Sequence, residues 1–172
     1  MEDPLIFTGK ELAFLRELTR NKVPFMIVGL SAAALQGAPM VTQDVDLWFK
    51  TIAHPGILKA LRKMGGTLVP PIGLNPPVFA GKHVDAFDIV LTVHGVDTFE
   101  RELKSAVRVP MGGFSVCALP LDRIIASKKF LNREKDRLVL PALNAAAKAL
   151  RTSKTGDKKP TSVTGGLRSN IP

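Results

Sequence analysis

The sequence predicts an α/β domain of the α+β kind, in which a mixed sheet of about four to five strands is flanked by helices. Segments with helical and with strand-like hydrophobic patterns alternate along most of the chain, which is typical of a layered domain. The chain has 172 residues, 45% of them apolar, so a single domain can bury a core without further support. Its one cysteine, Cys117, excludes an internal disulfide and predicts a small buried thiol.

The first predicted elements lead to a glycine turn. Thr8-Gly9-Lys10-Glu11 has the spacing of a capping box, and leucines at helical spacing follow it, which predicts a helix. Val23–Val28 is a short apolar run and predicts a buried strand, with Pro24 at its beginning or on an edge. Ser31–Gln36 is compatible with a short helix that Gly37 closes.

The next segment predicts a strand with an acidic face, because apolar and polar residues alternate over 44–49. Pro55 suits the first turn of a helix that ends at Gly65-Gly66. The proline-rich segment 70–81 predicts a surface loop.

The second half of the chain continues the alternation. Its pattern predicts a strand at Val84–Val93 and then a helix at Val96–Lys104 with Asp97 as its N-cap. A strand at Phe114–Ala118 and two helices, at Pro120–Asn132 and Lys135–Leu150, are predicted to follow.

The composition changes at about residue 150. Of the net charge of +9, residues 151–172 carry +4, from five basic residues and one acidic residue, and residues 1–150 carry the remaining +5. The segment 151–172 has almost no large apolar side chain, which predicts a basic disordered tail after a domain formed by residues 1–150. A basic tail can bind nucleic acid through its phosphates, and solubility is the alternative role.

Two features predict a cytoplasmic protein that does not enter a membrane. No run approaches the roughly 18 apolar residues that a membrane span needs. The beginning of the chain, Met1-Glu2-Asp3-Pro4, is acidic, unlike the basic beginning of a signal peptide.

The predicted strand Val23–Val28 runs directly into Gly29-Leu30-Ser31 and a helix of small residues. Gly29 permits a positive φ and a close backbone approach. The unpaired amides at the beginning of the helix favour an anion such as a phosphate. Such turns are common, and an ordinary turn capped by Ser31 is the alternative.

Asp44 and Asp46 occupy positions i and i+2 of a strand, so both carboxylates point to one face. Two charges that close repel each other unless a cation lies between them. Magnesium suits this arrangement because it binds one or two carboxylates together with water and substrate phosphates. A solvated strand face is the alternative. An EF-hand loop is excluded because Phe49 stands where that loop requires glycine.

The segment Val84–Val90 places further acidic residues within an apolar strand, where a charge must be paired or bind a metal. Asp85 and Asp88 are three residues apart and lie on opposite faces of a regular strand, so only one can join the acidic pair. The apolar neighbours of Asp88 favour it as the third carboxylate, and Asp85 stays as the alternative.

Together, Val28-Gly29-Leu30-Ser31-Ala32, Asp44-Val45-Asp46-Leu47 and a later strand aspartate resemble the nucleotidyltransferase superfamily with a DNA polymerase beta-like fold. More narrowly, they resemble the bacterial AbiEii/MenT-related and uncharacterised nucleotidyltransferase-like proteins. The resemblance extends to a helix that holds Lys128 and to an Arg-x-Lys-Asp turn at Arg133–Asp136, and it covers residues 23–145.

The resemblance implies an enzyme, a metal-dependent nucleotidyltransferase. It would move a nucleoside monophosphate from an NTP to a hydroxyl of an RNA, a protein or a small molecule and release pyrophosphate. Magnesium, or manganese in its place, would bridge the acidic residues and the phosphates. The implied catalytic and metal-binding residues are Asp44, Asp46 and Asp88, and the implied nucleotide-binding residues are Gly29, Ser31, Lys128 and Arg133.

The resemblance also implies a role within a toxin–antitoxin system, with an antitoxin as partner. The alternative is a non-catalytic nucleotide- or nucleic-acid-binding module on the same fold, which is favoured by the basic tail and by Leu30, where many relatives have glycine or serine. A glycosyltransferase is disfavoured by the short chain. Asp136 is expected to pair with a basic neighbour or cap the last helix, and His83 and His94 are expected to lie in turns.

Overall fold

The computed structural model describes residues 6–156 and has the predicted fold class. Its helices are α1 (Gly9–Arg20), α2 (Gly29–Leu35), α3 (Pro55–Lys63), α4 (Phe99–Lys104), α5 (Leu121–Leu131) and α6 (Glu134–Gly156). Its strands are β1 (Phe25–Val28), β2 (Val45–Phe49), β3 (Thr67–Val69), β4 (Val78–Ala80), β5 (Phe87–Val90), β6 (Val107–Pro110) and β7 (Ser115–Ala118). Within residues 6–156, none of the helices has the length and apolar character that crossing a membrane requires.

A five-stranded mixed sheet, in the order β5-β2-β1-β7-β6, forms the centre of the domain. β1 is antiparallel to β2 and parallel to β7, and β2 is parallel to β5. Because β1 and β2 run in opposite directions, the end of β1 lies beside the beginning of β2, where Val28 is in register with Asp46. The glycine turn after β1 therefore lies next to the acidic segment of β2.

One face of the sheet is covered by an aromatic layer. Phe14 of α1 lies 5.5 Å from Phe79 of β4 and 5.0 Å from Phe87 of β5, measured between ring centroids. Phe49 of β2 lies 5.8 Å from Phe79 in an edge-to-face arrangement, which is a favoured geometry for aromatic pairs. All four side chains are buried. This layer stabilises the sheet from the face opposite to the acidic residues.

The other face carries Asp46, and α4 and α5 lie on its side. Trp48 shares a face with Asp46 because side chains two positions apart on a strand point the same way. Its ring contacts Phe99 of α4 edge to face at 5.4 Å. Ile124 of α5 lines a cavity together with Asp46. The sheet therefore presents its polar face to a space that α5 partly covers.

Two predicted helix beginnings are confirmed. Thr8 Oγ1 accepts a hydrogen bond from the Glu11 N–H at 3.3 Å, and the Glu11 carboxylate accepts one from the Thr8 N–H at 2.7 Å. Pro55 is in the first turn of α3, where the Gly56 N–H donates to His54 Nδ1 at 3.0 Å. Both signals depend only on neighbouring residues.

The structure differs from the sequence prediction in the proline-rich segment 70–81. This segment was expected to be a surface loop, but its last residues form β4, which pairs with β3 in a separate two-stranded sheet. The prolines precede β4, and Phe79 within it is buried against the aromatic layer. Burial of one aromatic side chain thus outweighs the turn-forming composition around it.

Smaller differences concern the ends of elements and two further strands. β3 and β6 were not predicted: β3 is the partner of β4, and β6 pairs only with β7, as an edge strand, where a proline is tolerated. α4 begins after Thr98 rather than Asp97, and Cys117 is half-buried rather than buried. α6 continues to Gly156, beyond the predicted end of the helix at Leu150, and the rest of the predicted tail lies outside the described residues.

Phe14→Ala removes the ring that joins α1 to the aromatic layer. We expect it to lower the free energy of unfolding by about 3–5 kcal/mol, because it leaves a cavity in the core. Urea denaturation followed by circular dichroism measures this loss. Leu74→Ala is the control, since Leu74 is 104% exposed and its removal should change stability by less than about 0.5 kcal/mol. Equal stability of the two variants would contradict the described packing.

Candidate active site

Two of the three predicted carboxylates are neighbours across the sheet. In the parallel pair β2–β5, Asp46 is in register with Asp88, so the two side chains leave the sheet on the same face. Asp44 lies two residues before Asp46, directly ahead of β2. Asp46 is half-buried, whereas Asp44 and Asp88 are exposed.

The charges of these carboxylates influence one another. The pKa of Asp46 is raised by burial first and by the Asp88 carboxylate next, with a smaller contribution from Asp44. The pKa of Asp88 is raised by partial burial and then by Asp44. Like charges disfavour each other's ionised form, and a divalent cation between them reverses this effect. The three predicted carboxylates are therefore near enough to affect one another's ionisation, and a cation beside Asp46 would offset this effect.

The structure places Asp88, and not Asp85, beside Asp46. Asp85 lies in the turn before β5, where its N–H donates to the Gly81 carbonyl at 3.1 Å. β5 begins at Phe87, so Asp88 lies within the strand. The choice that the sequence left open is decided by strand register.

Both the backbone conformation at position 29 and the lack of room for a side chain there require a glycine. Its φ of +65° lies in the left-handed region that favours glycine. A Cβ built on Gly29 would overlap the carboxylate of Asp46. The backbone of the turn therefore lies directly against the acidic group. α2 begins at Gly29 without a side-chain cap, so Ser31 does not cap the turn as the alternative expected.

Ser31 supports the site from within the fold. Its side chain is fully buried, and its hydroxyl donates to the backbone carbonyl of Asp44 at 3.3 Å. The Thr42 hydroxyl donates to the same carbonyl at 2.9 Å. Ser31 thus holds the segment that carries Asp44. The predicted contact between its hydroxyl and a phosphate stays a prediction, and it would require the hydroxyl to turn away from Asp44.

A cavity of about 250 Å³ lies between the polar face of the sheet and α5. Four of the seven predicted site residues line it: Gly29, Asp46, Lys128 and Arg133. Asp44, Asp88 and Ser31 are not among its lining residues. The structure thus gathers one predicted acidic ligand, the glycine turn and both predicted cations around one space.

Asp136 holds the two cations in place. Its side chain is completely buried. Its carboxylate accepts hydrogen bonds from Lys128 Nζ at 3.0 Å and from Arg133 Nε at 2.6 Å. These partners, Arg133 first, hold the pKa of Asp136 well below its usual range. The carboxylate also accepts the backbone N–H of Arg133 at 3.3 Å, at the beginning of α6. The structural role predicted for Asp136 is confirmed.

Two residues near the site were not predicted to belong to it. The charge of Lys135 lowers the pKa of Asp46, and Lys135 belongs to the same Arg-x-Lys-Asp turn as Arg133 and Asp136, a signal that could have found it. His94 lies in a turn, as expected, but it also lines the cavity. The contribution of His94 depends on how its loop is placed, which no local pattern indicates.

The donor set fits a hard divalent cation that is shared with a substrate. Within residues 6–156, no three His, Cys, Asp or Glu side chains form a ready-made metal site. Magnesium does not need one, since it usually binds one or two carboxylates and completes its shell with water and substrate phosphates. Asp46 offers such a carboxylate at the cavity, with a second one in register beside it.

No protein-family model and no curated protein matches the chain. In fold, the chain is similar to the antibiotic-resistance factor ANT(2'')-Ia. Its crystal structure in complex with adenylyl-2''-tobramycin has a TM-score of 0.51 and 14% identity, over 84% of this chain and 90% of that chain. Its solution structure has a TM-score of 0.52 and 11% identity, over 85% and 91%. The chain therefore shares its overall fold with ANT(2'')-Ia.

A crystal structure of an antigenic nucleotidyltransferase-like protein from Paracoccidioides brasiliensis is also similar, with a TM-score of 0.49 and 15% identity, over 87% of this chain and 91% of that chain. The similarity to ANT(2'')-Ia confirms the predicted fold class. At these identities it concerns the fold alone, so the chemistry has to be argued from the site.

Asp136→Asn removes the charge that holds Lys128 and Arg133. We expect it to lower the free energy of unfolding at pH 7 by about 3–5 kcal/mol, because breaking a buried ion pair leaves its cations uncompensated. Asp122→Asn, at an exposed position of α5, is the control and should change stability by less than about 0.5 kcal/mol.

The pH dependence of this difference follows from the lowered pKa of Asp136. The stabilisation by the ionised carboxylate is complete above the unfolded-state pKa of about 3.9 and is lost as the pH falls through the lower folded-state pKa. Urea titrations from pH 8 to pH 3 should therefore show a constant difference that narrows only below about pH 4. A difference that disappears already at pH 6 would contradict the described ion pairs.

Proposed function

We propose that this chain is a metal-dependent nucleotidyltransferase, which moves a nucleoside monophosphate from an NTP to an acceptor hydroxyl and releases pyrophosphate. The observation that carries the proposal is the position of Asp46. It lies against the Gly29 turn, in register with Asp88, and at a cavity whose other wall bears Lys128 and Arg133. A carboxylate for a metal and cations for phosphates thus face one space.

Asp44, Asp46 and Asp88 would hold Mg²⁺, or Mn²⁺ in its place. The bound ions would supply Lewis-acid stabilisation of the phosphates and lower the pKa of the acceptor hydroxyl. Asp88 lies on β5, at the edge of the sheet, and is exposed. We propose that the acceptor approaches from this side and that an Asp88 carboxylate oxygen takes the proton of its hydroxyl.

Lys128 and Arg133 would bind the phosphates of the nucleotide. Both cations share the single carboxylate of Asp136, so their wall of the cavity keeps a net positive charge. Hydrogen bonds from charged donors to phosphate oxygens are strong and directional. In this position they would stabilise the negative charge that develops on the outgoing pyrophosphate. The amides of the Gly29 turn would add donors close to Asp46.

The similarity to ANT(2'')-Ia, solved with adenylyl-2''-tobramycin, supports a small hydroxyl-bearing molecule as the acceptor. The finer resemblance to the AbiEii/MenT-related proteins supports an RNA or protein acceptor and an antitoxin partner. The proposed acceptor is therefore a hydroxyl group of a small molecule, an RNA or a protein. A cytoplasmic location and the division into a domain of residues 1–150 and a basic tail also stay predictions.

A second candidate function is nucleic-acid binding without catalysis, and the surface of α6 favours it. After Asp136 this helix has no acidic residue, and it exposes Arg137, Lys148 and Arg151. These three lie on one side of the helix over ~21 Å, which suits several phosphates of a strand. RNA affinity that falls steeply with salt and is the same in Asp46→Asn, together with absence of nucleotide transfer, would establish this function instead.

Asp46→Asn tests the proposed reaction. The full chain is incubated with Mg²⁺ and each of the four α-³²P-labelled NTPs, and with aminoglycosides, cellular RNA or no added acceptor. We expect label transfer by the wild type and at least about 100-fold less by Asp46→Asn, because loss of a metal ligand removes several kcal/mol of transition-state stabilisation. Asp85→Asn is the matched control and should keep its activity. Equal labelling by wild type and Asp46→Asn would refute the proposal.

The stability of the same variants gives a test that does not depend on the acceptor. Because the pKa of Asp46 is raised, its charge destabilises the metal-free fold at neutral pH, so Asp46→Asn should raise the Tm measured in EDTA. Mg²⁺ should raise the Tm of the wild type, since it binds the folded state, and should have little effect on Asp46→Asn. Asp85→Asn should behave as the wild type. A Tm response to Mg²⁺ that Asp46→Asn keeps in full would place the ion elsewhere.

A further inference from the structure

The loop between β5 and α4, residues 91–98, forms one wall of the cavity at the candidate active site. Three consecutive residues of this loop, Thr92, Val93 and His94, line the cavity together with Ser127 and Lys128 of α5. The roles proposed for the acidic residues and for the Arg-x-Lys-Asp turn do not involve this loop.

Side chains anchor both ends of the loop. At its beginning, Trp48 Nε1 of β2 donates to the Leu91 carbonyl at 3.2 Å. At its end, the Glu102 carboxylate accepts a hydrogen bond from the Asp97 N–H at 2.8 Å. Glu102 is only 3% exposed, and Arg123 of α5 donates to it from Nε at 3.0 Å. The loop is thus tied to the sheet on one side and to α5 on the other.

The middle of the loop lies flat on α5. Gly95 has a φ of +80°, which favours glycine. A Cβ built on it would overlap the side chain of Phe130 and lie 3.2 Å from Ser127 Cα. The backbone beside His94 therefore cannot move closer to α5. Together with the two anchors, this contact fixes the backbone that carries His94 at the cavity before any ligand binds, and a fixed backbone is part of the preorganisation that a binding residue requires.

The chemistry of the cavity indicates which part of a nucleotide meets His94. Apart from Asp46, which the metal accounts for, the polar side chains that line the cavity can all donate hydrogen bonds: Thr92, His94, Ser127, Lys128 and Arg133. The triphosphate is the part of an NTP that presents only acceptors. Asp44 and Asp88 do not line the cavity, so the acceptor can reach Asp88 from outside it while the donor nucleotide fills it.

We propose that His94 is a nucleotide-binding residue whose imidazole N–H donates a hydrogen bond to the phosphate oxygens of the bound NTP, alongside Lys128 and Arg133. The inference rests on the proposed function and assigns a phosphate contact to a residue outside the acidic and basic motifs. An imidazole ring carries at least one N–H that can donate to a phosphate oxygen.

Isothermal titration calorimetry in Mg²⁺ tests the proposal with two probes, inorganic tripolyphosphate and the non-hydrolysable α,β-methylene analogues of the four NTPs. His94→Ala should weaken the binding of both probes by about 10- to 100-fold, the loss expected for one hydrogen bond to a charged acceptor. His94→Gln, which keeps an N–H donor, should recover part of the affinity. His83→Ala is the matched control, since His83 does not line the cavity, and it should bind as the wild type does.

The outcomes separate this proposal from the proposed function. If the wild type binds neither tripolyphosphate nor any nucleotide analogue, the proposed function fails and the role of His94 fails with it. If the wild type binds and His94→Ala binds equally well, only the role of His94 is refuted. If His94→Ala weakens the analogues but not tripolyphosphate, His94 contacts the nucleoside, and the phosphate assignment is wrong. Should His94→Ala not fold, His94→Phe keeps a ring, removes both nitrogens and makes the same test.

Discussion

The repulsion between Asp46 and Asp88 is the constraint on which the site depends. The register of β2 and β5 places the two carboxylates side by side, and it does so although burial and the Asp88 carboxylate raise the pKa of Asp46. The strands keep this register because their opposite face is packed into an aromatic layer. Two carboxylates that the core holds side by side despite their mutual repulsion do not stabilise the fold. Such a pair is typical of a functional site.

The opposite wall of the cavity shows the complementary electrostatics. There a single buried carboxylate, Asp136, holds Lys128 and Arg133 together, so positive charge exceeds negative charge. A wall with a carboxylate, that of Asp46, therefore faces a wall with an excess of positive charge. A metal–phosphate complex, which carries both signs of charge, matches the two walls together. These charges are properties of the site, whereas the similarity to ANT(2'')-Ia concerns the fold.

Much of the fold was predictable because its signals are local. The capping box at Thr8 and the proline at the beginning of α3 each depend on residues within one helical turn. The predictions failed where contacts between distant segments decide whether a strand forms. β4 forms because Phe79 reaches the aromatic layer, and β6 forms because β7 offers it an edge. Neither partner can be identified from the segment itself, since strand pairing depends on tertiary packing.

By itself, the sequence determined the acidic pair at the beginning of one strand, with Asp44 just ahead of β2 and Asp46 within it, the glycine turn before it and the ionic role of Asp136. Period-2 alternation, a positive φ and charge pairing between near neighbours are short-range properties. Tertiary structure alone decided that Asp88 stands beside Asp46, that the Ser31 hydroxyl is used inside the fold, and that His94 reaches the cavity. Each of these depends on the register or anchoring of segments far apart in the chain, and such contacts are set only when the whole core packs.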